Sequence, residues 1–460
     1  MSQGTSQHIA TFRDPAGSLR ILGENVLRTV HPRYAADSLR FLQSDLARRW
    51  TDEGHLVASE VLSAEEDQPL LLQHPRVFFP SYPWEWTPSQ WVAAGELTLE
   101  LCTQLLHEGW ILKDATPLNI LFEGSRPVFV DLLSIERGDP RSPLWLAYGQ
   151  FARTFLLPLA AYKYLGWPLT ATLHRRDGYE PADLYPYLSS VERWNAPLRS
   201  LVTLPYLFET RKRGAGAPSK LQQEPEIASA VLERNLKGFG KALHALEPKG
   251  RDSRWSEYQA GADHYSEEER RRKQEFVDRA LQSLRPESVL DIGANTGQYS
   301  RIAAGAGARV VAWDTDVASA DRNWREARDG GLPILPLVAD VARPTPAVGW
   351  CNTESLNLLE RARQRFDCVM MLGILHHLLL ADQIPMADVA ALLSSLTRRW
   401  SIVEWVPKTD VRYIDLCRGR DELYAHLDEV LFVEQFTRHF TIMAREELSN
   451  GRVLFLLGKR

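Results

Sequence analysis

The stretch Ser288-Val-Leu-Asp-Ile-Gly-Ala-Asn-Thr-Gly-Gln-Tyr-Ser300 decides the fold. A short apolar strand runs into a glycine-rich turn, and a helix is expected to begin after it. Gly293 and Gly297 let the backbone turn tightly and approach a ligand, where a Cβ would collide. Asp291, near the strand's C-terminal end, is placed to take a ligand's amino group. Taken alone, such a turn also suits an unrelated Rossmann turn or a plain strand–helix connection.

Further strands follow at regular intervals. Arg309-Val-Val-Ala-Trp-Asp-Thr-Asp316 ends in acidic residues about 20 positions on, where an α/β fold puts a carboxylate on a ribose. Asp314 and Asp316 are the candidates for that place. Ile334–Asp340 ends in Asp340, Phe366–His377 opens into a polar turn, and Trp400–Pro407 carries Glu404. Such strand ends, in this order, meet at one crevice on the carboxyl edge of a parallel sheet. The dinucleotide fingerprint G-x-G-x-x-G is absent, since Ala-Asn-Thr-Gly follows Gly293.

This order resembles the class I S-adenosylmethionine-dependent methyltransferases, with Asn295 in place of the motif's middle glycine. The resemblance implies a Rossmann-like seven-stranded methyltransferase sheet over residues 255–460. It implies that Asp291, Gly293, Asn295 and Gly297 line the cofactor's methionine part. Asp314 would hold the ribose, Asp340 the adenine, and Leu372 with Gly373 the fourth side. Tyr258, His264 and Tyr265 are candidates to lie over the cofactor, against a reading as surface aromatics. His376 and His377 stand where the acceptor is expected, and histidine titrates near neutrality, as a general base requires. His377 is the preferred base, with His376 and Glu404 as alternatives. An N/D-P-P-Y turn is missing, which favours an oxygen acceptor.

Nearer the N-terminus, Asp114 is followed by Asn119 five residues on, and Asp131 stands twelve residues beyond Asn119. A hairpin bringing two carboxylates and an amide together suits a phosphate-bound metal and a hydroxyl nucleophile. The segment resembles the catalytic loop of protein and aminoglycoside-type kinases. That likeness would make Asp114 the base and Asn119 and Asp131 magnesium ligands, with ATP as nucleotide. The departures are Leu112 and Lys113 for His-Arg, Leu132-Leu133 for Phe-Gly, and no recognisable strand lysine, though Arg28 offers a cation. A plain hairpin whose Asp and Asn cap turns is the alternative.

The expected fold class is therefore α/β, with a kinase-like α+β domain over 1–210 and a linker with connecting helices over 211–254. The combination resembles bacterial two-part nodulation-type methyltransferases. It implies a methyltransferase acting on a small-molecule or glycan hydroxyl, the first domain recognising nucleotide or substrate. A bifunctional kinase–methyltransferase and a pseudokinase module binding a protein partner are the alternatives.

Composition bounds these readings. A chain of 460 residues exceeds one ordinary core. A net charge of −5 gives no reason to expect general nucleic-acid binding. The four cysteines form no C-x-x-C pair, so no disulfide framework or zinc site is expected. Residues 1–15 lack the apolar core of a signal peptide, and the apolar stretch 144–167 contains Arg153, Pro158 and Lys163, reading as a buried helix pair. No membrane insertion and a cytoplasmic location are expected. Elsewhere, Ala35–Trp50 and 89–109 read as helices, the latter capped by Thr87 or Ser89. The charged run after Ser266 reads as a solvated helix face.

Overall fold

The computed structural model describes residues 11, 13–211, 223–248 and 266–460. Much of the expected linker over 211–254, and Tyr258, His264 and Tyr265, lie outside them. The chain divides into two compact units, one of 1–249 with 348–355, the other of 250–347 with 356–460.

In the first unit, β1 (Gly17–Leu22), β2 (Asn25–Val30), β3 (Glu60–Ser63) and β4 (Leu70–Pro75) form an antiparallel sheet ordered β1-β2-β4-β3. The residues between β2 and β3 form two helices, Pro32–Leu42 and Asp45–Asp52, where the sequence suggests one. The break is at Ser44, whose side chain accepts from the amide of Ala47 at 3.2 Å and caps the second helix. Thr87 caps the helix Pro88–His107. Two small antiparallel ladders follow, β5 (Trp110–Leu112) with β8 (Ile135–Arg137) and β6 (Ile120–Glu123) with β7 (Arg126–Phe129).

The apolar stretch forms one continuous helical run from Tyr148 to Leu165 rather than a pair of helices. Pro158 offers no N–H inside it, and the bonding loosens to π-type on both sides, at Ala152–Leu156 and Ala161–Leu165. Gly166, at φ 70°, ends it. No described helix is long and apolar enough to cross a membrane.

The second unit is built on seven strands: β9 (Ser288–Ile292), β10 (Arg309–Asp314), β11 (Ile334–Val338), β12 (Phe366–Met371), β13 (Thr397–Trp405), β14 (Phe440–Glu447) and β15 (Val453–Lys459). Their order is β11-β10-β9-β12-β13-β15-β14. The first five are parallel, and β15 runs antiparallel to both β13 and β14. Every residue of β9, β11 and β12 is buried, which is why these strands are mostly apolar, interrupted by Asp291 in β9 and Asp367 in β12. β14 starts at the buried Phe440 and then alternates exposed and half-buried positions. This mixed sheet fits a Rossmann-like fold. Strand order reverses between β9 and β12, which opens a crevice at their carboxyl ends.

The helix Glu267–Leu284 starts with a capping box between Ser266 and Glu269. Its charges are not all solvated, contrary to the sequence reading. Arg271 pairs with Glu268 and Glu275 on the surface, but Glu269 and Lys273 are buried.

Candidate active site

Gly293 and Ala294 donate their amides to the carbonyl of Trp313 at 2.9 and 3.1 Å, docking the turn after β9 onto the end of β10. Gly293, Asn295 and Gly297 have φ of 75°, 50° and 80°, so three left-handed residues fall within five. Asparagine is among the few side chains that tolerate this region, which suits Asn295 to a glycine position. Gly297 is fixed by packing, because a Cβ there would lie 2.0 Å from Oδ1 of the buried Asn323.

Asp314 accepts the amide of Asn295 at 2.7 Å and that of Asp316 at 2.8 Å, one on each oxygen. Burial raises its pKa, while these amides oppose the rise. Asp291 is 2 % exposed and accepts the Ser300 hydroxyl at 2.7 Å. Burial pushes its pKa from 3.8 up to about 6. A raised carboxyl pKa gives a contribution to stability that is full below about pH 4 and lost as pH rises through about 6. The stability of wild type relative to Asp291→Asn should therefore fall between those values and level off above pH 7. Chemical denaturation at each pH checks this, and a flat difference would refute it.

A cavity of about 620 Å³ opens beside this turn. Gly293, Asn295 and Asp314 line it on one side, and Leu372, Gly373, His376 and His377 on another. Its size falls in the ordinary range for small-molecule sites. His376 is 3 % exposed, and neither ring nitrogen has a hydrogen-bond partner among the described residues. Burial and then the neighbouring His377 hold its pKa well below the ordinary value. His377 lies 4.4 Å away between ring centroids and is less buried. Its own pKa is lowered by burial, against an opposing pull from Asp382.

Four sequence-derived candidates, Asp291, Gly297, Glu404 and Asp340, do not line the cavity. Glu404 is fully buried, with Lys273 Nζ at 2.7 Å and Arg452 Nη1 at 3.6 Å, and it does not line the cavity. It is a counter-ion within the wall and not a base facing an acceptor. Asp340 also does not line the cavity. Its carboxylate accepts the amides of Ala342 and Arg343 and pairs with Arg343 Nε at 3.0 Å.

Lys273, Arg270, Arg452 and Tyr299 line the cavity although the sequence reading named none of them for it. Burial lowers the pKa of Lys273, and the Glu404 carboxylate opposes that. Lys273 Nζ also lies 5.1 Å from the centre of the Tyr299 ring. Arg452 Nε donates to Asp410 at 2.8 Å. One signal was available for Lys273: it precedes the buried Phe276, Val277, Ala280 and Leu281 at helical spacing, on the apolar stripe.

In the first unit, Asp114, Asn119 and Asp131 meet in a closed network. Asn119 donates its amide to Ser134 Oγ at 3.0 Å and to the Asp114 carbonyl at 3.4 Å. The Ser134 hydroxyl donates to Asp131. Arg28 Nη1 reaches Asp131 at 3.2 Å, and its Nη2 donates to the Val130 carbonyl at 3.0 Å. Asp114 accepts from Gln150 at 3.4 Å, and burial raises its pKa.

No group of three or more His, Cys, Asp or Glu placed to hold a metal ion occurs among the described residues. The buried Arg28 guanidinium stands beside Asp131, which the kinase resemblance makes a magnesium ligand with Asn119. Asp131→Asn should destabilise this unit by about 1–3 kcal/mol, through the charge it leaves unpaired on Arg28. Thermal unfolding should show the same loss in EDTA and in magnesium with ATP. A loss confined to magnesium would restore the metal.

No protein family model matches the chain. The nodulation protein NoeA of Rhizobium meliloti (strain 1021) is 28% identical over 461 residues, covering 96% of this chain and 94% of that protein. Among solved structures, the magnesium protoporphyrin IX methyltransferase ChlM of Synechocystis PCC 6803 with bound SAH is 19% identical at a TM-score of 0.30, over 41% of this chain and 83% of its own. The N-methyltransferase NodS of Bradyrhizobium japonicum WM9 is 15% identical at a TM-score of 0.31, over 42% and 98%. The bifunctional kinase-methyltransferase WbdD is 19% identical at 0.29, over 40% and 37%.

Proposed function

We propose that this chain is an S-adenosylmethionine-dependent methyltransferase whose acceptor is a hydroxyl of a small molecule or glycan. One observation carries the reading. The left-handed turn Gly293–Gly297 is bonded to Asp314 beside a cavity at the point where strand order reverses.

Bound S-adenosylmethionine supplies an electrophilic methyl group on a positively charged sulfur. The chain's own residues would bind and orient both partners. Each Asp314 oxygen accepts one backbone amide and, having two lone pairs, keeps capacity for a ribose diol. Gly293, Asn295 and Gly297 bring backbone close to the methionine part, with Asp291 behind them for its amino group. Leu372 and Gly373 close the fourth side. His377, held neutral by burial, takes the proton from the acceptor hydroxyl as the new bond forms. Alignment of acceptor, methyl and sulfur in one cavity supplies the rest of the rate.

The first unit is read as a kinase-like module for recognition without phosphoryl transfer. The pairing of Arg28 with Asp131 supports that over a bifunctional enzyme.

The test uses the full chain, methyl-labelled S-adenosylmethionine and an extract of the source cells, with labelled products followed by mass spectrometry. A labelled small molecule or glycan is expected. His377→Ala should slow its formation by roughly 10²–10⁴-fold and leave affinity for the demethylated cofactor unchanged. An equal loss of binding and rate would make His377 structural, and label in no acceptor would remove the function.

A further inference from the structure

The charged groups on the cavity wall are sorted by sign. Asp314 and Asp316 stand at the β10 end, where the nearby Arg301 is paired with Glu326 at 2.7 Å. Lys273 and Arg452 stand at the β13 end, both drawn there by Glu404. Strand order places β9 and β12 between β10 and β13, so the two ends are about 14 Å apart at ~4.8 Å per strand. S-adenosylmethionine is itself a polarised rod, with a neutral diol to donate hydrogen bonds and an α-carboxylate to accept them.

We propose that Lys273, positioned by Glu404, holds the α-carboxylate of S-adenosylmethionine and so sets which way round the cofactor lies. The inference rests on the methyltransferase reading and deepens it. Lys273 is 6 % exposed yet lines the cavity, and Glu404 accepts from its ammonium at 2.7 Å. The Tyr299 ring covers it at 5.1 Å, which restricts the direction of approach. Burial works against the charge on Lys273, and a second carboxylate beside it would restore what burial removes. Arg452 donates to Asp410 at 2.8 Å and approaches Glu404 at 3.6 Å. The exposed Arg270, on the same helix as Lys273, adds a further positive charge at that end.

An acid on the acceptor is another source of the same chemistry, so the test leaves the acceptor out. S-adenosylhomocysteine and 5′-methylthioadenosine share a nucleoside thioether, and only the first carries the amino-acid carboxylate. Calorimetric titration of the full-length wild type should show tighter binding of S-adenosylhomocysteine. Lys273→Gln combined with Glu404→Gln removes both charges of the pair together and leaves no buried ion alone. In that variant, affinity for S-adenosylhomocysteine should drop roughly 10- to 100-fold while that for 5′-methylthioadenosine stays within about twofold.

Lys273→Gln alone should show the same selective loss, so either folded variant decides. Equal weakening of both ligands, or undiminished S-adenosylhomocysteine binding in a folded variant, would overturn the inference and leave the methyltransferase reading standing. Failure of wild type to bind either ligand would overturn both.

Discussion

Gly293→Arg abolishes cofactor binding in a protein that still unfolds cooperatively. Gly293 has φ 75°, which costs a side-chain-bearing residue about 1–2 kcal/mol. A Cβ there would stand 2.9 Å from Cδ1 of Ile374, the end of a side chain that can move, and 3.2 Å from its Cβ, which needs a small backbone adjustment. The fold should therefore survive with a loss of about 2–5 kcal/mol, backbone and crowding costs together. The rest of the arginine would enter the cavity that Gly293 lines, in the space assigned to the methionine part. Affinity for S-adenosylmethionine should drop by at least roughly 100-fold, the equivalent of about 2.8 kcal/mol. Gly297 is a poorer probe, because a Cβ there meets Asn323 at 2.0 Å and would disturb the fold itself. Undiminished affinity in folded Gly293→Arg would remove the site assignment.

Glu404→Ala should be the most destabilising single change in the second unit. It leaves Lys273 and Arg452 buried without the carboxylate that both approach. Removing one partner of a buried ion pair costs about 3–5 kcal/mol. For a unit of this size the melting temperature should drop by roughly 10 °C or more. Lysine can relieve the strain by losing its proton, and arginine cannot, so Arg452 must rely on Asp410 alone. Lys273→Met with Glu404→Leu should recover most of the loss, since no lone lysine charge remains. Thermal unfolding checks both variants. A loss below about 1 kcal/mol in Glu404→Ala would show that the pair is not buried as described.

How far the sequence shows these features depends on the range of the interaction behind each. The β9 turn is legible because its causes are local: apolar residues for a central strand, then glycines and an asparagine for positive φ. β10, β11 and β12 are legible for the same reason. β14 and β15 carry no motif, and only the resemblance to a family implied them. Arg452 belongs to that unmarked stretch, and its partner Asp410 is 42 residues away. Lys273 was concealed by the charges around it, although its helical spacing to Phe276 and Val277 marked the buried face. Glu404 and Asp340 were assigned from strand ends alone, and neighbours distant in sequence or just past the strand claimed their oxygens. Arg28 was visible as a cation, but its pairing with Asp131 spans 103 residues and needed the fold.

The central claim is that the cavity at the β9–β12 switch point binds S-adenosylmethionine. Calorimetric titration of the full chain with S-adenosylhomocysteine, wild type beside Gly293→Arg, tests it most directly. The account predicts saturable binding at one site per chain in wild type and no measurable heat in the folded variant. Absence of binding to wild type at millimolar ligand, or identical binding by both proteins, would contradict it.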